Sequence, residues 1–226
     1  MLHPLPPFLF WHREVAMRVT GLVLCGGESQ RMGRPKALLP FGDEVLLQRV
    51  VRIMSGTFDR VIVVAGPGQL LPELPSHVAI VHDKIAGQGP LFGLATGLAY
   101  LAESHPAEPL ADARALDDAV FVAACDLPFL AVEFIRCVVA GLGDKQIAVP
   151  CVGGQLHPLA ACYRMDVLPF VRELLGRNIR SLKLLIERCA TQLLDEGDLP
   201  DCRQLRNINT PEEYDKALAA IHETSR

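Results

Sequence analysis

The chain has 226 residues, half of them apolar, and a formal net charge of −4. That is enough for one large domain with a substantial core, and too acidic for an electrostatic nucleic-acid binder. Seven cysteines, an odd number with no Cys-x-x-Cys spacing, argue against a disulfide framework or a structural zinc site and suit a reduced, cytoplasmic protein.

Residues 1–16 carry an apolar patch, Pro6 to Trp11, broken by prolines. They lack the basic start and unbroken apolar core of a signal peptide. They are expected to be a dispensable extension or an artefact of start-codon choice, with a single domain over 17–226. No later run reaches the roughly 18 apolar residues of a membrane helix.

Val19 to Leu24 reads as a buried strand. It runs into Cys25-Gly26-Gly27, then Arg31, Gly33 and Lys36. Adjacent glycines let a backbone bend and bring its N–H groups close to a ligand. A guanidinium and an ammonium beside them suit phosphate oxygens. The stretch suits polyphosphate binding, or is a glycine turn with solvated charges, and has neither the Walker A nor the Rossmann spacing.

Phe41-Gly42-Asp43 reads as a turn, and Glu44 to Ser55 as a helix stopped by Gly56. Strands follow at Arg60 to Ala65 and Val78 to His82. The alternation of strand and helix predicts an α/β layered fold with a mostly parallel central sheet. Asp83 directly follows the third strand, where open α/β sheets place ligands. From position alone it is a ligand contact or a turn carboxylate.

Pro90 opens a helix in which Gly93 and Gly97, with Gly89 before them, fall four residues apart on one face. Such glycines need a reason, either close helix–sheet packing or a ligand. Residues 104–118 read as an exposed loop. Ala119 to Ala124 is a buried strand ending in Cys125-Asp126-Leu127-Pro128. A carboxylate there is placed to hold Mg²⁺, or to cap a helix.

A helix over Leu130 to Leu142, a strand at Ile147 to Pro150 and a hairpin through Val152 to Gln155 lead to His157-Pro158. His157 is an acceptor contact or a structural histidine. Two helices, Asp166 to Leu175 and Ser181 to Cys189, are separated by Gly176 to Arg180, and Arg177, Arg180 and Lys183 form a basic cluster that holds an anionic acceptor or is a solvated face. The last helix starts at Thr210-Pro211 with Glu213 as its capping-box partner. Before it, Asn207 and Asn209 flank Ile208, and alternation points both amides to one side.

The set resembles the molybdenum cofactor guanylyltransferases. The resemblance rests on the loop from Leu24 to Leu39, Asp83, Gly87 to Gly97, Cys125-Asp126-Leu127-Pro128, His157-Pro158 and Asn207-Ile208-Asn209-Thr210-Pro211. It implies a three-layer, Rossmann-like nucleotidyltransferase fold. It also implies a reaction: GMP passes from GTP to the terminal phosphate of a molybdenum–pterin cofactor, and pyrophosphate leaves. Leu24, Cys25, Gly26, Gly27 and Asp83 would contact the nucleotide. Lys36 and Arg31 would meet its phosphates, and Asp126 would hold Mg²⁺. Gly89, Gly93, His157, Arg180, Asn207 and Asn209 would serve the acceptor. The product would pass to cofactor-inserting or recipient molybdoenzymes, with no nucleic-acid or membrane partner.

Two positions depart from the family. Cys25 stands where alanine is usual, and Ala65 where an asparagine often lies beside the nucleotide. A cytidylyltransferase acting on the same cofactor, or a non-catalytic adaptor of the same fold, are the alternatives.

Overall fold

The computed structural model describes residues 17–26, 35–104 and 118–224. Its centre is β1 (Val19–Leu24), which pairs in parallel with β4 (Val61–Ala65) on one side and β6 (Ala119–Ala124) on the other. β5 (Ala79–His82) extends the β4 side, also in parallel. The chain thus builds outward from β1 through β4 to β5, then crosses over to lay β6 on the far side of β1. That reversal makes β1 and β6 the topological switch point of the sheet.

Beyond β6 the sheet turns mixed. β9 (Ala160–Arg164) is antiparallel to both β6 and β7 (Ile147–Val152). β10 (Thr191–Leu194) closes the edge parallel to β7. β8 (Gln155–Leu156) folds back on the end of β7. The hairpin between them turns at Gly153 and Gly154, both at positive φ (56° and 75°), as turn glycines permit.

The central strands are covered on both faces, which is why they read as continuous apolar runs. Val23, Val63 and Phe121 pack with helices α1 (Leu46–Ser55) and α3 (Val132–Ala140). Leu22, Leu24, Val64 and Val122 enter the opposite layer, with α2 (Pro90–Ser104), α4 (Leu168–Gly176) and α5 (Leu182–Arg188). The expected three-layer α/β fold is what the structure shows.

Several element ends differ from the sequence reading. Glu44 and Val45 form a short strand, β3 (Glu44–Val45), paired with β2 (Pro40–Phe41), and α1 begins only at Leu46. The hairpin glycine, Gly42, sits at φ 68°. Periodicity cannot separate the two because the apolar positions of the helix continue the pattern of the strand. The expected helix from Leu130 to Leu142 is shorter, and that from Asp166 starts as a 3-10 turn, Met165–Val167. β10 was not expected at all: Thr191–Leu194 is a short edge strand with Leu193 half exposed.

The last helix, α6 (Pro211–Thr224), is capped as the sequence predicts. Glu213 N–H donates to Thr210 Oγ1 (3.2 Å), and the Glu213 carboxylate accepts from Thr210 N–H (3.2 Å). Ala217 of this helix shares a small buried cluster with Leu39, Phe41, Leu46 and Ile208. That cluster ties the C-terminal segment to the chain just after Lys36.

Candidate active site

A cavity of 270 Å³ opens at the carboxyl ends of β1 and β6. Leu24, Cys25 and Gly26 form one wall, and Cys125 and Asp126 the next. Cys25 N–H donates to Val64 O (2.9 Å) and Cys125 N–H to Leu24 O (3.1 Å). The sheet's register therefore carries on past the strands and sets the two loops side by side.

Lys36 reaches the cavity from a 3-10 turn, Lys36–Leu38, anchored by the buried Ala37 and Leu39. Its ammonium donates to Asp126 Oδ2 and to Asn209 Oδ1, each at 2.7 Å. Residues 90 and 173 positions apart in sequence thus meet at one charge. Ile208 makes this possible: its side chain is buried, and its N–H donates to Asp126 O (3.1 Å). With Ile208 turned inward, Asn207 and Asn209 both line the cavity, as alternation predicts.

Asp126 is nearly buried, and its Oδ1 has no hydrogen-bond partner. A buried carboxylate oxygen without a donor is costly. An oxygen-only set of one carboxylate and nearby amides, open to substrate phosphates, fits a hard divalent cation. Among the described residues no cluster of three or more His, Cys, Asp or Glu side chains could hold a metal ion. Any such ion would depend on Asp126 and the neighbouring amides Asn207 and Asn209.

Asp83 lines the opposite wall. Its N–H donates to Ala65 O (2.8 Å) and its Oδ1 accepts from Thr96 Oγ1 (2.6 Å). Burial raises its carboxyl pKa, and the Thr96 hydrogen bond opposes that rise. A Cβ on Gly26 would lie 3.8 Å from Asp83 Oδ2, so the missing side chain leaves the gap between them open.

The helix glycines divide by depth. A Cβ on Gly97 would come within 2.5 Å of Leu22, so Gly97 lets α2 approach β1. Gly93 lines the cavity, over Leu24 and 3.9 Å from Asp83 Oδ2 by the same measure. Gly89 precedes the helix at φ 82° and also lines the cavity.

Gln69 was not singled out from sequence. Its Nε2 donates to Cys25 O (2.9 Å) and touches Cys25 Sγ (3.3 Å), and its Oε1 accepts from Gly66 N–H (2.9 Å). It staples the loop after β1 to the loop after β4. Ala65 is fully buried in the core, so the side-chain amide at this end of the sheet comes from four residues later. The signal available was the Gly66-Pro67-Gly68 turn at a strand's carboxyl end.

Other expected residues stand apart. His157 is half-buried, its N–H donates to Pro150 O (2.9 Å), and burial lowers its pKa. Arg180 is exposed and donates to Asn178 Oδ1 (3.3 Å). Neither lines the cavity. Gly27 and Arg31 lie outside the described residues, as do residues 1–16 and most of the loop at 104–118.

A family model described as a MobA-like NTP transferase domain matches residues 21–192. A protein of Mycobacterium avium named "Probable molybdenum cofactor guanylyltransferase" is 38% identical over 208 residues, covering 90% of this chain and 96% of its own. The crystal structure of molybdopterin-guanine dinucleotide biosynthesis protein A from Archaeoglobus fulgidus superposes with a TM-score of 0.71 at 19% identity, covering 90% of this chain and 99% of that one. A 4-diphosphocytidyl-2C-methyl-D-erythritol synthase from Anaerococcus prevotii gives 0.68 at 11% identity, covering 91% and 96%. For these two structures the likeness is one of fold.

Proposed function

The chain belongs to the MobA-like NTP transferase family, and from that premise we propose that it transfers GMP from GTP to a molybdenum–pterin cofactor. The acceptor's terminal phosphate oxygen forms a bond to the α-phosphorus. The bond from that phosphorus to the bridging oxygen breaks, and pyrophosphate leaves. The product is the guanine dinucleotide form of the cofactor.

One observation carries the reading. Lys36 Nζ sits 2.7 Å from both Asp126 Oδ2 and Asn209 Oδ1 at the mouth of a strand-end cavity. The acceptor is already an anion, so no strong base or covalent enzyme intermediate is needed. The protein's task is to align two polyanions and balance their charge. Leu24, Cys25 and Gly26 would lie along the base and ribose, with Gln69 holding the Cys25 carbonyl. Asp83 would be at the nucleotide, and Lys36 and Arg31 at its phosphates. Asp126, with Asn207 and Asn209 beside it, would hold Mg²⁺, which when bound neutralises polyphosphate charge. The direct contact of Lys36 with Asp126 supports an enzyme over an adaptor that only binds.

The guanylyl reading is favoured over the cytidylyl one because the 38% relative is named a guanylyltransferase, whereas the cytidylyl neighbour shares 11% identity. The test is pyrophosphate release by purified protein with Mg²⁺ and the molybdenum–pterin cofactor, supplied with GTP or CTP in parallel. Release with GTP alone is expected. Release with CTP alone would move the protein to the cytidylyl branch. Release with neither, from folded protein and active acceptor, would overturn the transferase reading for this acceptor.

A further inference from the structure

Two residues that line the cavity, Cys25 and Cys125, carry thiols that this phosphoryl transfer does not use. Cys25 and Cys125 are the residues next after the register pair Leu24↔Ala124 on the parallel neighbours β1 and β6. The Cys125 N–H bond to Leu24 O shows that sheet geometry persists there. Adjacent strands lie about 4.8 Å apart, within the Cα separation of about 4.4–6.8 Å that a disulfide spans. Both side chains turn into the same helical layer. They are 5% and 6% exposed, and both line the cavity. Hydrogen peroxide is small enough to enter the 270 Å³ cavity that both residues border.

We propose that Cys25 and Cys125 are an oxidisable dithiol at the switch point, which a peroxide-class oxidant closes into a disulfide that shuts the nucleotide site. Two S–H bonds and the O–O bond of one hydrogen peroxide break. One S–S bond forms and two waters leave, so the sulfurs lose two electrons and the peroxide gains them. The first thiol passes through a sulfenic acid, whose sulfur the second thiol attacks while its hydroxyl leaves as water. A dithiol reductant reverses the reaction by exchange.

Closure changes the site because of what each cysteine holds. The S–S bond of about 2.05 Å draws Cys25 Sγ away from Gln69 Nε2, now 3.3 Å distant. The same Gln69 amide positions the Cys25 carbonyl, and Asp126 is the next residue after Cys125. Both walls of the cavity shift together. The effect on nucleotide binding rests on the function proposed above; the thiol linkage itself does not.

The experiment treats reduced, full-length protein with hydrogen peroxide and reads mass and peptide map. A loss of two hydrogens, a Cys25–Cys125 cross-linked peptide and recovery with dithiothreitol are expected, and GTP with Mg²⁺ should slow the reaction. A fluorescent GTP analogue should bind at least about 10-fold more weakly to the oxidised protein. Cys125→Ser should form no such linkage, and its binding after peroxide should match its own untreated value. Oxidation of the two cysteines separately, or pairing with other cysteines, would overturn the proposal. A Cys25–Cys125 linkage with unchanged GTP binding would overturn the gate. If the reduced protein binds no GTP while the linkage forms, the nucleotide assignment fails and the dithiol stands.

Discussion

Two sides of the proposed site are built differently. On the nucleotide side, Cys25 and Asp126 follow buried strands and Asp83 follows the half-exposed edge strand β5, and each is fixed by backbone hydrogen bonds to a neighbouring strand or loop. Of the residues assigned to the acceptor, Gly89, Gly93, Asn207 and Asn209 line the same cavity, whereas His157 hangs from a hairpin and Arg180 from an exposed turn between α4 and α5. The strand-end residues converge on one cavity; His157 and Arg180 do not. Strand register positions a side chain before anything binds, whereas a loop cation gains its geometry from what it binds.

Removing the carboxylate tests the prearranged side most severely. Asp126→Ala leaves the Lys36 ammonium with Asn209 and removes the unpartnered oxygen that would meet the metal. Mg²⁺-dependent turnover is expected to fall by about 10³-fold or more, the scale of losing a preorganised charge-stabilising group. Steady-state pyrophosphate release measures it. Near-normal turnover in a folded variant would remove Asp126 from the chemistry.

The same contrast explains what could be read from sequence. Val19 to Leu24 and Ala119 to Ala124 are apolar on both faces, so their burial and their chemistry-bearing ends were legible. Asn207 and Asn209 were legible as a pair because Ile208 between them enforces alternation. Gln69 was not, because nothing local shows that its amide spans to Cys25, 44 residues away. Cys25 and Cys125 lie far apart in the sequence; only the register sets them together. β10 escaped notice because Thr191–Leu194 is short and half polar, and it is a strand only by virtue of β7.

The helix glycines sharpen the comparison within one element. Gly97→Val would drive new methyls into Leu22, and overpacking of this kind costs about 1–3 kcal/mol. Thermal unfolding should drop by about 2–10 °C for a chain of this size, with GTP affinity of the folded fraction little changed. Gly93→Ala should leave the melting temperature within about 2 °C, because helix propensity offsets the 3.3 Å approach to Leu24. Its KM for the acceptor, to which Gly93 is assigned, should rise by about 10-fold. Equal effects of the two on the acceptor's KM would mean that Gly93, like Gly97, serves packing alone.

Arg180→Ala probes the looser side. An exposed cation contributes little until a ligand orders it. The KM for the acceptor should rise by about 3- to 10-fold with the KM for GTP unchanged. An effect on GTP alone would place Arg180 on the nucleotide side and erase the distinction drawn above.

The smallest effect concerns the cost of keeping Asp83 charged. Burial holds its carboxyl above the ordinary value of 3.8. Between that value and the raised one, the folded chain binds the proton more tightly than the unfolded chain does. Stability from this group is therefore fully present below 3.8, is lost as pH rises through the folded value, and stays level above it. Asp83→Asn keeps an oxygen for Thr96 Oγ1 and removes the buried charge. At pH 7 the variant should melt about 1–2 °C higher than the parent, and the gap should close as the pH approaches 4. Its GTP turnover should fall over the same range in which its stability gain is largest. A variant that is less stable at pH 7 would mean that the carboxylate earns its place through Thr96. A more stable but less active one would mark Asp83 as a charge kept for the nucleotide.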